Sequence, residues 1–162
     1  AMTHFEIERK FLIRPLADVS ALSFCKMEQT YLLSEGETRR IRKTESLTGT
    51  EYFYTEKKRV TARRCVETER KITKEEYLSL WEQRDMMRQT IRKVRYYYPF
   101  GALCFEIDQY PFWENQWVLE AELEAETQEI TFPPDITVIR EVTDEYAYKN
   151  AALALKIPKE DL

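Results

Sequence analysis

Glycine is almost missing from this chain, with Gly36, Gly49 and Gly101 the only three in 162 residues. That scarcity excludes a Walker-type phosphate loop and a glycine-rich dinucleotide turn, which both need glycines close together. Histidine is rarer still, represented by His4 alone and read as a surface residue, while Cys25, Cys65 and Cys104 are scattered. A structural zinc site is thereby excluded, and the thiols read as reduced rather than as a disulfide frame. No apolar run approaches the roughly 18 residues of a membrane-spanning helix, and the opening residues lack the basic-then-apolar layout of a secretory signal. The expectation is a cytoplasmic protein without a membrane partner. Linkers and low-complexity stretches are also lacking, so residues 1–162 are read as one domain, with Ala1 ahead of Met2 set aside as extraneous. Basic residues are not in excess: 25 Lys and Arg stand against 29 Asp and Glu, a net charge of −4. No nucleic-acid partner is expected from that balance, although a positive site gathered inside an acidic protein would still take a smaller polyanion.

What the chain does have is charge at every second residue. In a strand, alternate side chains share a face, so Glu6, Glu8 and Lys10 point one way while Phe5, Ile7, Arg9 and Phe11 point the other. The pattern recurs as Arg40 and Arg42, Thr55 and Lys57, Glu67 and Glu69, Lys93 and Arg95, Glu106 and Asp108, and Glu120 and Glu122. One charged strand face is ordinary; a series of them implies a shared charged interior. Strands are predicted at 3–13, 25–34, 37–46, 50–60, 63–72, 89–98, 102–110 and 116–124. A closed, eight-stranded antiparallel barrel with a polar lumen, its apolar outer face covered by helices, accommodates both faces. A helix is predicted over 74–84 from the capping-box spacing of Thr73 and Glu76, a short one after Pro15, and another running from a Thr143 cap through Leu155.

Neighbouring carboxylates are hard oxygen ligands suited to Mg²⁺ or Mn²⁺, and rings of lysine and arginine suit phosphate oxygens. Together they point to a metal-complexed polyphosphate held by side chains.

The ordered set EIERKF, TRRIR, YTEK, ETE, IRKVR, FEID, LEAE, EVT and YKN resembles the CYTH domain of the triphosphate tunnel metalloenzymes, most like their short bacterial inorganic triphosphatases, over about residues 4–155. The resemblance implies an eight-stranded tunnel and metal-dependent hydrolysis of inorganic triphosphate to pyrophosphate and phosphate, with nucleoside triphosphates as poorer substrates. It implies metal ligation by Glu6, Glu8, Glu120 and Glu122, with Asp108 and Glu106 behind them, and substrate binding by Lys10, Arg40, Arg42, Lys57, Lys93 and Arg95. Glu8 would also orient water and Lys57 would stabilise transferring charge; Glu67 and Glu69 would orient the basic groups or bind metal weakly. A class IV-type adenylyl cyclase, a thiamine triphosphatase and a noncatalytic polyphosphate-binding module are alternatives on the same scaffold. Two positions depart from the family: the basic residue often found before the C-terminal tyrosine is missing from Asp144–Asn150, where Lys149 points elsewhere on a helix, and Cys65 stands where arginine is common.

Overall fold

The computed structural model describes residues 2–161, so Ala1 lies outside it. Its strands are β1 (Met2–Ile13), β2 (Ser23–Leu32), β3 (Thr38–Ser46), β4 (Gly49–Arg59), β5 (Arg64–Ile72), β6 (Ile91–Phe100), β7 (Leu103–Gln109), β8 (Trp117–Leu123) and β9 (Val138–Glu141). Every predicted strand is present. All pair antiparallel in the order β5-β4-β3-β2-β6-β7-β8-β1-β9, and a further β5–β1 pairing closes the first eight into a barrel. Tight hairpins make this compact topology: Ser46 pairs with Gly49 and Phe100 with Leu103, and the positive φ of Gly49 (123°) and Gly101 (59°) supplies the backbone hand those turns need.

The unpredicted β9 has a simple place. β1 gives its first half to β5 through Met2–Ile7 and its last residues, Phe11–Ile13, to β9 on the same edge. Arg9 and Glu141 fasten this junction, with Nε to Oε2 at 2.8 Å, and the bond from Arg9 holds the Glu141 carboxyl down at about 2.

Helices cover less of the exterior than expected. The capping box of Thr73 and Glu76 starts α1 (Lys74–Trp81), which buries Tyr77 against Leu32, Ile41 and Ile72. The other outer core, around Phe11, Phe105, Ile107 and Leu119, is covered instead by irregular chain, including Leu16, Leu22, Phe132 and Ile136. No helix follows Pro15: Asp18 Oδ1 accepts from Ser20 N–H at 2.9 Å, a local turn that competes with helix formation. Nor does one helix run from Thr143. Its hydroxyl accepts from Lys10 N–H at 2.9 Å and donates to Glu141 Oε2 at 2.6 Å, leaving a 3-10 turn at Tyr146–Tyr148 and the single-turn α2 (Asn150–Leu153). These pieces plug one end of the barrel, where the inward-facing Leu12, Tyr31, Ile91, Tyr110 and Val118 pack on Tyr148, Leu153 and Trp113. The lumen is therefore charged at mid-height and apolar at its plugged end.

Candidate active site

Strand alternation aims the predicted charges inward, where two cavities meet. The larger, of about 940 Å³, is lined by Glu6, Arg42, Glu69, Arg95 and Glu122 among others. The smaller, of about 380 Å³, is bordered by Lys10, Tyr31, Arg59 and Lys149. Glu8, Arg40, Lys57, Glu120 and Asn150 line both and form the waist between them.

Around the ring, inward charges sort by strand. The contiguous β7, β8, β1 and β5 carry Glu106 and Asp108, Glu120 and Glu122, Glu6 and Glu8, and Glu67 and Glu69. The other contiguous half, β4, β3, β2 and β6, carries Lys57, Arg40 and Arg42, and Lys93 and Arg95. Two residues break the division: Lys10, a cation on the acidic side that pairs with Glu120 at 3.1 Å, and Glu51, a carboxylate on β4 that lines the larger cavity and pairs with Lys71 at 2.9 Å.

Register sets carboxylates against one another on the acidic wall: Glu8 lies opposite Glu122, and Glu106 opposite Glu120. Like charges so placed repel. Glu120 and then burial raise the Glu8 pKa; burial, followed by the bond to Glu67, raises that of Glu6; burial, then Glu6, raises that of Glu122. Burial also works against the Glu120 anion, but Lys10, Arg95 and Lys57 outweigh it and hold this carboxyl well below its ordinary range. His4 Nε2 approaches Glu6 at 3.2 Å, and its ligand atom lies with those of Glu6 and Glu122 within 4.8 Å of one another. This mixed nitrogen and oxygen set, on a wall with repelling carboxylates, fits a divalent cation.

The basic wall is quieter because most of its charges have partners. Lys57 lies 3.4 Å from Glu6 and Arg40 3.5 Å from Glu67. Burial depresses the Lys57 ammonium, but Glu8 and Glu6 more than restore its charge. Asp108 is gripped by Arg95 through Nε at 2.8 Å and by Lys93 at 2.8 Å. Burial alone would raise its pKa; these cations overcome that and hold it at about 2. Burial of Lys93 brings its pKa to about 7 despite Asp108. Arg42 is held at about 10 by burial, then by Arg40 and Arg95.

The carboxylates named for metal thus fall into two groups. Glu6, Glu8, Glu120 and Glu122 gather on β1 and β8, whereas Asp108 is committed to Lys93 and Arg95, and Glu106 lies 3.2 Å from Arg95. Glu67 reaches both Arg40 and His4, and Glu69 lines the larger cavity. Lys93 is buried behind the lumen with its Nζ 5.6 Å from the Tyr110 ring centre. Cys65 is buried, its Sγ 3.6 Å from Glu6 Oε2, and burial raises the thiol to about 11. It brings no replacement charge for the missing arginine. His4, Tyr31, Arg59 and Lys149 were absent from the sequence-derived site. Lys149 reaches the smaller cavity because its backbone is extended (φ −67°, ψ 142°) rather than helical; burial, then Lys10 and Arg59, lowers its pKa to about 8.

No protein-family model matches the chain. The inorganic triphosphatase of Nitrosomonas europaea is 35% identical over 156 residues, covering 94% of this chain and 99% of that protein. A crystal structure of an inorganic triphosphatase matches with a TM-score of 0.61 and 32% identity, over 95% of this chain and 97% of that one. A Hippeastrum protein described as an adenylyl cyclase with dominant triphosphatase activity shares the fold, with a TM-score of 0.53 and 17% identity over 74% of this chain and 80% of that one.

Proposed function

The chain belongs to the inorganic triphosphatase branch of the CYTH family, and on that premise we propose that it hydrolyses inorganic triphosphate to pyrophosphate and orthophosphate with Mg²⁺ or Mn²⁺. The observation that carries this reading is the divided lumen, with carboxylates on one half and cations on the other around one passage. A linear triphosphate presents oxygens to both halves at once.

In this reading Glu6, Glu8, Glu120 and Glu122 hold the metal, with His4 at its outer edge. A divalent cation held there would neutralise negative charge and lower the pKa of water bound to it. Arg40, Arg42 and Arg95 bind the phosphate chain across the passage, Lys57 stands where the two cavities meet, and Lys10 borders the smaller one. Water attacks the terminal phosphorus; its new O–P bond replaces the anhydride bond, and pyrophosphate leaves with the electron pair. Glu8 orients that water, and Lys57 stabilises charge gathering on the phosphoryl oxygens. Lys93 and Asp108 support the Arg95 side of the wall. Nucleoside triphosphates would enter as poorer substrates because they share only the phosphate portion of this recognition.

Phosphate release from inorganic triphosphate and from ATP, each with Mg²⁺ or Mn²⁺ and with cyclic AMP measured on the ATP samples, tests the proposal. Rapid orthophosphate from triphosphate is expected. Cyclic AMP with pyrophosphate would instead make the protein a cyclase, and triphosphate binding without release would make it a binding module.

A further inference from the structure

On the inward face of β2, Cys25 and Met27 line the larger cavity and Tyr31 the smaller. Alternation puts Gln29 on that face between them, at 0% exposure. It stands opposite Arg42 in the β2–β3 register, and the guanidinium donates to Gln29 Oε1. Since guanidinium groups offer only donors, the amide must turn its oxygen toward Arg42. Its Nε2 is then left buried without an acceptor, as are the Nε atoms of Arg40 and Arg42 on the neighbouring strand. These donors are buried in the wall, while Arg40 and Arg42 themselves line the larger cavity.

Neutrality is the distinctive property of Gln29. Lys10, Arg40, Lys57, Lys93 and Arg95 each have a carboxylate within 3.5 Å. Arg42, among the described residues, has no salt-bridge partner; its side-chain bond is to the amide of Gln29. A glutamate at position 29 would have nearly the same shape and accept the same bond, but it would cancel the charge. Ring order also places β2 four strands from β1 in either direction, so Gln29 and Arg42 face the proposed metal strand across the passage.

We propose that Gln29 is a positioning residue, fixing the Arg42 guanidinium without neutralising it so that Arg42, which lines the larger cavity, receives a phosphate of the bound chain opposite the metal. The inference rests on the triphosphatase reading and extends it to a residue outside the charged pattern.

The test compares wild type with Gln29→Glu, Gln29→Met, Arg42→Ala and the double variants, using triphosphatase kinetics, calorimetric binding of inorganic triphosphate in metal-free buffer, and thermal melting. Gln29→Glu is expected to raise KM about tenfold, with kcat within about threefold, and to weaken metal-free binding similarly. Gln29→Met, which removes the hold but adds no charge, should have a smaller effect. In the Arg42→Ala background Gln29→Glu should add less than about twofold, because its partner is gone.

Unchanged KM in a normally melting Gln29→Glu protein would overturn the proposal. So would equal losses in Gln29→Glu and Gln29→Met, or a full Gln29→Glu effect without Arg42. If Gln29→Glu melts early, the Gln29→Met and Arg42→Ala binding cycle decides: coupling supports the proposal and additivity overturns it. Wild-type failure to release phosphate would defeat the activity reading, while the metal-free cycle would still judge the role of Gln29.

Discussion

The acidic and basic halves of the barrel wall are built from the same alternating strands but reach opposite electrostatic conditions. On β1 and β8, carboxylates confront carboxylates, and Glu6, Glu8 and Glu122 hold their protons more tightly than free side chains do. On β3, β4 and β6, cations are mostly matched to acids reached across the ring or from the adjoining strand. The contrast teaches what each half lacks: the acidic wall is short of positive charge, whereas the basic wall is short of acceptors at Arg40, Arg42 and Gln29. A metal ion and a phosphate chain answer those two needs separately.

Removing Glu8 tests the acidic half most severely. Glu8→Ala should fold with a near-normal melting temperature yet lose roughly 10²–10³-fold in metal-dependent kcat. Retained full phosphate release would remove Glu8 from the mechanism. Lys57→Ala tests the facing half and should lower kcat/KM for inorganic triphosphate roughly a hundredfold; unchanged steady-state kinetics would mean that the waist cation does not meet substrate.

A smaller effect distinguishes the outer edge of the acidic wall from its centre. Because imidazole favours softer cations than carboxylates do, His4→Gln should weaken Co²⁺ binding, followed by visible absorption, about tenfold while Mg²⁺-supported turnover stays within about twofold. Equal Co²⁺ affinity would exclude His4 as a ligand.

The smallest expected effect lies outside both halves. Glu141 is depressed from its ordinary pKa to about 2 by Arg9, so its stabilising contribution is present above pH 4.5 and is lost as pH falls through about 2. Glu141→Gln should therefore cost about 1–2 kcal/mol near neutrality, with the gap from wild type closing in acid. Melting curves across that range would detect it, and a gap independent of pH would assign the loss to packing.

The barrel was legible because strand alternation is rigid: residues such as Glu6 and Glu8, or Arg40 and Arg42, have no choice but to share a face once the strand forms. Charge sequence also separated the acidic strands from the basic ones. Neutral partners were not legible. Gln29 and Tyr31 interrupt the charged pattern, and only the β2–β3 register places them opposite Arg42 and Arg40. β9 has four residues and pairs only with the tail of β1, a relation carried by no local pattern. Lys149 escaped because projecting it from a helix assumes helical backbone, while tertiary contacts hold the preceding turn: Lys10 Nζ donates to the Tyr148 carbonyl at 3.0 Å. The apolar plug was hidden for the same reason, since Tyr148 and Leu153 meet Leu12 from the far end of the chain.

The split edge of β1 also carries a consequence for synthesis. Its residues emerge first among the described strands, but Lys10 N–H awaits Thr143, 133 residues later. At about 5–20 residues per second, the ribosome needs roughly 7–27 seconds to supply that partner. β5 is complete at Ile72 and β8 at Leu123, ahead of Thr143, and a nascent chain lacking β8 has only Glu6 and Glu8 of the four carboxylates Glu6, Glu8, Glu120 and Glu122. Assembly order thus delays the proposed metal site until most of the polypeptide has been made, separating early strand formation from the gathering of all four carboxylates.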